Sequence, residues 1–126
     1  MRLILLAAAG GAIGSAARFL VNQSSLRAFG SAFPWATLTV NVVGGLLMGL
    51  VFELVARRFG NSNELRVFLA TGVLGGFTTF SAFTLDVAEL NGRGELGLSL
   101  LYIGASVALA IAALYVGLAV GRWLFA

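Results

Sequence analysis

The chain has 126 residues, of which 60% are hydrophobic and only 10% are charged, and its formal net charge at pH 7 is +3. This composition, with a mean hydropathy of +1.00, leaves too little charge to cover a soluble domain and indicates an integral membrane protein. Cysteine and histidine are absent, which excludes disulfides, thiol nucleophiles and Cys/His metal sites. The basic residues are all arginines at or near the ends of apolar runs. That pattern is typical of charge flanking a membrane and not of a nucleic-acid surface.

Four apolar segments follow one another along the chain, and each is long enough to cross a bilayer. We predict membrane-spanning helices at about residues 3–21, 35–55, 65–90 and 96–125, in a single domain that comprises residues 1–126. At about 1.5 Å per residue, the shortest of them reaches roughly 28 Å, which is close to the hydrocarbon thickness. Because the apolar character continues through the whole chain, a cleaved signal peptide at the N-terminus is the less favoured alternative.

Polar and turn-forming residues separate the four segments. Residues 22–33 are expected to form a polar loop. Pro34 is placed to begin the second helix, since the first helical position needs no N–H partner. Residues 60–63 and 91–94 are predicted as tight turns. Four spans bring both chain termini to the same side of the membrane.

The third segment contains an unusual stretch, residues 71–84, in which glycines and hydroxyl residues accompany three phenylalanines. No backbone N–H or C=O can be left without a partner in hydrocarbon, so a helix weakened by glycines is tolerated there only where the freed groups face protein, water or an ion. We therefore predict that the third helix is broken at mid-membrane. Broken helices of this kind hold ions and substrates in transporters.

The arginines give only a weak signal for orientation in the membrane. The side with the termini carries Arg2, Arg57, Arg58, Arg66 and Arg122, and the opposite side carries Arg18, Arg27 and Arg93. A clear excess of positive charge is needed to fix the orientation of a membrane protein. The small excess here indicates that the chain inserts in both orientations.

Small residues recur at four-residue spacing in every predicted span. The pairs are Gly10/Gly14, Gly45/Gly49, Gly72/Gly76 and Gly117/Gly121. Such pairs let helix backbones approach closely in lipid, where packing drives association. Four helices form a thin bundle, so covering the polar groups of the second and third spans is expected to require a second copy of the chain.

Polar side chains inside the spans share helical faces. Thr37 lies beside Asn41 in the second span, and further stripes are formed by Phe77, Phe80 and Phe83 with Ser81 and Thr84 beside them, and by Ser99, Tyr102 and Ser106. A lone membrane hydroxyl commonly bonds back to its own helix, and this remains the alternative for each serine and threonine. The amide of Asn41 has too many donors and acceptors to be satisfied locally.

The intramembrane polar groups are mostly neutral hydrogen-bond donors. Asp86 and Glu89 lie toward the end of the third span, where acids are usually solvated, so the proton carrier of a coupled pump is lacking. Neutral donors suit an anion that keeps its charge during the crossing. The positive edges of the Phe80 and Phe83 rings would also attract an anion, although packing is the simpler alternative for phenylalanines at this spacing.

Four motifs, one in each segment, match a known family in order and spacing. They are GGAIGSAAR ending at Arg18, WATLTVNVVGG beginning at Trp35, TGVLGGFTTFSAF beginning at Thr71 and YIGAS beginning at Tyr102. With them, the whole chain resembles the Fluc (CrcB) fluoride channel family. The resemblance implies an antiparallel, dual-topology homodimer in the cell (inner) membrane with two fluoride pores, each built from both subunits. It also implies a structural sodium ion at the centre of the dimer.

The resemblance also implies roles for individual residues. The pore residues would be Asn41, the paired rings Phe80 and Phe83, the polar track residues Ser81 and Thr84, Tyr102 and Ser106 of the fourth span, and Arg18 in the vestibule. Gly75 and Thr78 would bind the sodium ion (Na+) through their backbone carbonyls. Three positions depart from the family pattern, namely Ala82 and Ala110 where hydroxyls are common, and Asp86 in place of a glutamate.

The function expected from the resemblance is passive export of cytoplasmic fluoride, with no enzymatic activity. The first alternative, a small dual-topology multidrug exporter, would need an acid in the first span to bind cations, and this span has none. The second alternative, a non-selective structural or pore-forming membrane protein, gives no reason for Asn41 and the glycine-rich stretch to occur together. An enzyme is least favoured, because no nucleophile and base pair or metal cluster can be assembled from these residues.

Overall fold

The computed structural model describes residues 1–126 and is built from helices and short turns. The elements are α1 (Arg2–Phe29), α2 (Trp35–Arg58), α3 (Asn63–Arg66), a π-helical stretch (Val67–Leu74), α4 (Gly75–Phe77), α5 (Ser81–Gly92) and α6 (Leu96–Leu124). Four helical segments are long and apolar enough to cross a membrane, because α3, the π-helical stretch, α4 and α5 together form the third span, Asn63–Gly92. The prediction of an all-helical protein with four such spans is confirmed.

Helix α1 continues to Phe29, well past the predicted end of the first span at residue 21. The expectation of a loop from residue 22 was wrong in this part, because a polar sequence does not by itself stop a helix. The stop comes at Gly30, which adopts a φ of 73° and donates its N–H to the carbonyl of Leu26 at 3.0 Å. Glycine accepts this left-handed conformation without steric cost.

Ion pairs at one end of the bundle show how the helices are arranged. Arg2 at the start of α1 lies 2.8 Å from Glu64 at the start of the third span. At the end of α2, the buried carboxylate of Glu53 accepts a hydrogen bond from Arg57 at 2.7 Å and lies 3.7 Å from Arg122 near the end of α6. Both chain termini therefore lie at the same end of the molecule, as the sequence predicts.

Glycines allow α1 to pack directly against the first half of the third span. A Cβ atom at Gly14 would overlap the carbonyl oxygen of Val73, and one at Gly76 would lie 2.7 Å from the oxygen of Gly11. Real Cβ atoms do not approach backbone oxygens so closely. The two backbones are therefore in contact, which is the role expected for the glycine pairs of these two spans.

Helices α2 and α6 pack in the same manner. A Cβ atom at Gly45 would lie 2.7 Å from the oxygen of Ala110, and one at Gly117 would lie 3.2 Å from the Cα atom of Gly49. The bundle thus consists of two closely packed helix pairs, α1 with the third span and α2 with α6. The part of the third span that contains the break contacts α1 and also contacts α2 and α6.

Candidate functional site

The third span is interrupted at residues 78–80, between α4 and α5. Thr78 adopts an extended conformation with φ −86° and ψ 158°, so the helix cannot continue through it. The prediction of a broken helix is confirmed, but the break follows the glycines instead of coinciding with them. The expectation that Phe77, Phe80 and Phe83 form one helical stripe after the break was wrong, because Phe77 ends α4, Phe80 lies in the break and only Phe83 lies in α5.

Two carbonyl groups just before the break, those of Leu74 and Gly76, have partners. The Leu74 oxygen accepts hydrogen bonds from both the N–H and the hydroxyl of Thr78, at 2.9 and 2.8 Å. The Gly76 oxygen accepts a bond from Nε of Arg18 at 3.0 Å. A guanidinium group is well suited to this position, because the C-terminus of a helix carries partial negative charge. Arg18 therefore caps the first half of the broken helix.

Asn41 on α2 holds the centre of the break. Its side-chain Nδ2 donates to the carbonyl oxygen of Thr79 at 2.9 Å, and its Oδ1 accepts the N–H of Thr79 at 2.8 Å. The amide of Asn41 thus pairs with both the N–H and the C=O of Thr79, as the main chain of a neighbouring β-strand would. The amide of Asn41 finds its partners in another span and not in its own helix, which fits the sequence argument that it cannot be satisfied locally.

Thr79 also caps the beginning of α5. Its hydroxyl oxygen accepts the N–H of Ala82 at 3.1 Å and lies 3.3 Å from the hydroxyl oxygen of Ser81. The hydroxyl of Thr84 donates to the carbonyl of Ser81 at 2.8 Å. Ser81 and Thr84 are both exposed on the surface of the single chain.

Carbonyl groups at the break lack their helical partners, among them those of Gly75 and Thr78. The oxygen of Thr78 accepts no hydrogen bond, and the oxygen of Gly75 accepts none from residues 78–80, where its helical partner would lie. A backbone carbonyl without a partner is unfavourable in a dry environment unless a cation or another donor contacts it. These are the two residues for which the family resemblance implies sodium ligands, and their free oxygens fit that role.

The two paired phenylalanines differ strongly in exposure. Phe83 is 8% exposed and packs against Tyr102 with ring centroids 5.2 Å apart, whereas Phe80 is 75% exposed. The two rings lie 5.4 Å apart and are tilted by 41° to each other. One ring is therefore anchored inside the chain, and the other projects from its surface.

Three hydroxyl groups of α6, those of Ser99, Tyr102 and Ser106, are buried, but their hydrogen bonding differs. Tyr102 is fully buried and donates its hydroxyl to Oδ2 of Asp86 at 2.8 Å. The hydroxyl oxygens of Ser99 and Ser106 have no hydrogen-bond partner. Asp86 is half-buried and bonds to Tyr102 on the neighbouring helix, whereas Glu89, the other acid near the end of the span, is exposed.

Two cavities lie on either side of the break. The first, of about 350 Å³, is mostly polar and is lined by Ser15, Arg18, Phe19, Asn22, Ala36, Thr37, Val40, Thr79, Ala82 and Asp86. The second, of about 450 Å³, is mostly apolar and is lined by Asn41, Gly44, Gly45, Met48, Thr78, Thr79, Phe80, Phe83, Ser106, Val107, Ala110, Ile111 and Leu114. Thr79 is the only residue that lines both cavities.

Comparison with known proteins places the chain in a family. The family model described as CrcB-like protein, Camphor Resistance (CrcB), matches residues 5–118. The chain belongs to the CrcB family. Its family resemblance, inferred above from four sequence motifs, is thereby confirmed.

CrcB relatives match nearly the whole chain. A protein of Agrobacterium fabrum is 60% identical over 97% of this chain and 98% of its own length, and one of Rhizobium etli is 57% identical over 94% of both chains. A protein of Rhizobium meliloti is 52% identical over 97% of this chain and 98% of its own length. All three are named fluoride-specific ion channel FluC. The match to channel proteins supports a multi-pass integral membrane protein with a transport function and not an enzyme.

In this CrcB protein the residues expected in the pore fall into separate groups. Arg18 lines the first cavity, and Asn41, Phe80, Phe83 and Ser106 line the second. Ser81 and Thr84 line neither and lie on the exposed side of α5. Tyr102 lines neither and lies behind Phe83.

Thr79 is the residue that sequence reasoning missed. It forms hydrogen bonds to Asn41, Ala82 and Ser81, and these contacts hold the break in place. A local signal for it exists, because a threonine that precedes a helix start can cap the helix with its hydroxyl. The signal was hidden, because the start of α5 could not be located within residues 71–84.

Proposed function

We propose that this protein is a fluoride-selective ion channel that allows passive export of cytoplasmic fluoride. The observation that carries the proposal is the 60% identity, over nearly the full length of both chains, to a protein named fluoride-specific ion channel. The site agrees with it, since the side chains that bond to the break carry hydroxyls, an amide and one guanidinium. A membrane potential adds about 2.3 kcal/mol per charge per 100 mV to the exit of an anion from a negative interior.

The working unit is proposed to be an antiparallel, dual-topology homodimer. In a single chain, Phe80 is 75% exposed and the hydroxyl-bearing residues Ser81 and Thr84 lie exposed beside it. Polar residues within a membrane-spanning segment are unfavourable against lipid and are normally covered by protein or water. A second copy would cover this face and close the second cavity. The small difference in the number of arginines between the two sides of the membrane supports insertion in both orientations.

Each pore is proposed to use neutral donors from the second cavity and from the exposed face of α5. The hydroxyl of Ser106 is buried, has no partner and borders the second cavity, so it is available to an anion there. Phe80 and Phe83 present ring edges that carry positive quadrupole charge. Arg18 supplies positive charge to the polar cavity, which attracts anions to its entrance.

A sodium ion is proposed at the centre of the dimer, bound by the free carbonyl oxygens of Gly75 and Thr78. The carbonyls of Gly75 and Thr78 in one chain are too few to replace the hydration shell of a cation, so both copies would contribute. The chain has no group of three or more acidic side chains that would compete for a metal ion. The ion would neutralise the carbonyl dipoles and fix the two broken helices against each other.

The proposed function is tested with purified protein in liposomes loaded with potassium fluoride or potassium chloride. With potassium efflux permitted by an ionophore, we expect rapid release of fluoride and little release of chloride, relative to protein-free liposomes. Equal release of both anions would instead indicate a non-selective pore. No release of either anion, together with transport of an organic cation, would favour a drug exporter.

A further inference from the structure

We propose that Thr79 is a positioning residue for fluoride conduction, and that it acts through the hydroxyl of Ser81. This inference rests on the proposed channel function. Thr79 does not need to touch the ion for this role. Its hydroxyl fixes the direction in which the Ser81 hydroxyl offers its proton.

The main chain of Thr79 is held independently of its side chain. The amide of Asn41 pairs with both its N–H and its carbonyl, at 2.8 and 2.9 Å. The position of the Cα–Cβ bond is therefore set by α2. This leaves the hydroxyl of Thr79 free to serve α5.

The hydroxyl of Thr79 has one proton and two lone pairs to distribute. One lone pair accepts the N–H of Ala82 at 3.1 Å, and Ser81 Oγ lies 3.3 Å away, where either hydroxyl can be the donor. If Ser81 is the donor, its proton is engaged and no longer available to an ion. If Thr79 is the donor, the proton of Ser81 points away from Thr79 and can bind an anion.

A fluoride ion beside Ser81 favours the arrangement in which the Thr79 hydroxyl donates to Ser81. The protons then run in one direction, from Thr79 to Ser81 and from Ser81 to the ion, and hydrogen bonds in such a chain strengthen one another. Thr84 cannot replace Thr79 in this chain, because its hydroxyl is bonded to the Ser81 carbonyl at 2.8 Å. The location of Thr79 fits the role, since it alone borders both cavities.

The test compares fluoride flux for Thr79→Val, Thr79→Ser, Ser81→Ala and the double variant Thr79→Val/Ser81→Ala in liposomes. Because valine lacks a hydroxyl, we expect Thr79→Val to lower flux about three- to tenfold, the effect of one lost hydrogen bond. Thr79→Ser keeps the hydroxyl and should remain near the wild type. Thr79→Val should have little further effect once Ser81 is alanine. Thr71→Val is the matched control, since Thr71 is exposed and lies on the same span, before the break.

Three outcomes would overturn the inference. The first is wild-type flux in Thr79→Val. The second is a loss of flux by Thr79→Val that is as large in the Ser81→Ala background as in the wild type. Such a loss would indicate a purely structural cap, which would act independently of Ser81. If Thr79→Val does not assemble, Thr79→Cys serves instead, since a thiol is a much weaker donor and acceptor. The third is wild-type flux in Thr79→Cys. A wild-type protein without fluoride flux would overturn the proposed function itself.

Discussion

Replacement of Asn41 by alanine is expected to release the centre of the broken helix. Its amide makes two hydrogen bonds to the main chain of Thr79, at 2.9 and 2.8 Å, and no other side chain bonds to these two groups. Alanine would leave an N–H and a C=O without partners in a partly buried region. Neither group can turn to its own helix, because residues 78–80 are not helical.

The expected size of the effect follows from the two groups left unpaired. A buried polar group that loses its partner costs about 1–3 kcal/mol, so Asn41→Ala should lower the free energy of unfolding by about 2–6 kcal/mol. Asn41→Asp is the matched variant, since it keeps the size of the side chain and an acceptor for the N–H of Thr79, but its second carboxylate oxygen would face the carbonyl oxygen of Thr79. It should also lower the free energy of unfolding at neutral pH, because a partly buried charge without a donor is unfavourable.

Two measurements check this prediction. Thermal unfolding of the protein in detergent at neutral pH should show a lower midpoint for both Asn41→Ala and Asn41→Asp than for the wild type. Hydrogen exchange of a peptide that contains Thr79 should become faster in Asn41→Ala, because the protecting acceptor is gone. Unchanged exchange at Thr79 together with an unchanged midpoint would refute the claim that Asn41 holds the break.

Four further predictions follow from the same structure. Phe80→Ile and Phe83→Ile should each lower fluoride flux more than they lower dimer yield, because isoleucine roughly keeps the bulk and loses the ring edge. Phe80→Ile should be the better folded of the two, since Phe80 is 75% exposed and Phe83 is 8% exposed in the single chain. Cytoplasmic and external reporters fused to the C-terminus should both give signal, because the arginines are nearly balanced. Removal of sodium should slow fluoride flux. Gly75→Val should weaken dimer assembly and not the fold of the single chain, because a Cβ atom at Gly75 meets only the Ala70 oxygen, at 3.5 Å, within one chain. Gly14→Ala should destabilise the monomer fold by about 1–3 kcal/mol through overlap with the backbone of the third span.

Each of these has a control and a contradicting result. Gly11→Ala is the control for Gly14→Ala, because a Cβ atom at Gly11 meets nothing within 4 Å, and equal unfolding midpoints for the two variants would contradict the packing argument. Normal fluoride flux in both isoleucine variants would indicate that Phe80 and Phe83 serve packing only. Signal from one reporter only would rule out dual topology. Full flux after long equilibration without sodium, with normal assembly of Gly75→Val, would remove the sodium proposal.

The sequence alone was sufficient for those features that depend on local composition and spacing. Four apolar runs of membrane-spanning length predict four helices, whatever their packing, because the bilayer allows few other structures. The glycine pairs predict close helix contacts, and the structure shows the expected contact of Gly14 and Gly76 with the opposite backbone. The same kind of reasoning predicted a broken third helix, since glycines and hydroxyl residues interrupt an apolar run.

Only the tertiary structure located the break and named the groups that hold it. Two of the glycines that signalled the break, Gly72 and Gly76, serve packing against α1. The chain leaves the helix later, at Thr78, where Asn41 from another span pairs with the next residue. The partner of a polar group in a distant helix is not encoded in local spacing. For the same reason the sequence did not reveal that Arg18 caps the carbonyl of Gly76. Such contacts depend on how the helices are placed in three dimensions, and that placement is fixed by the packing of all four spans together.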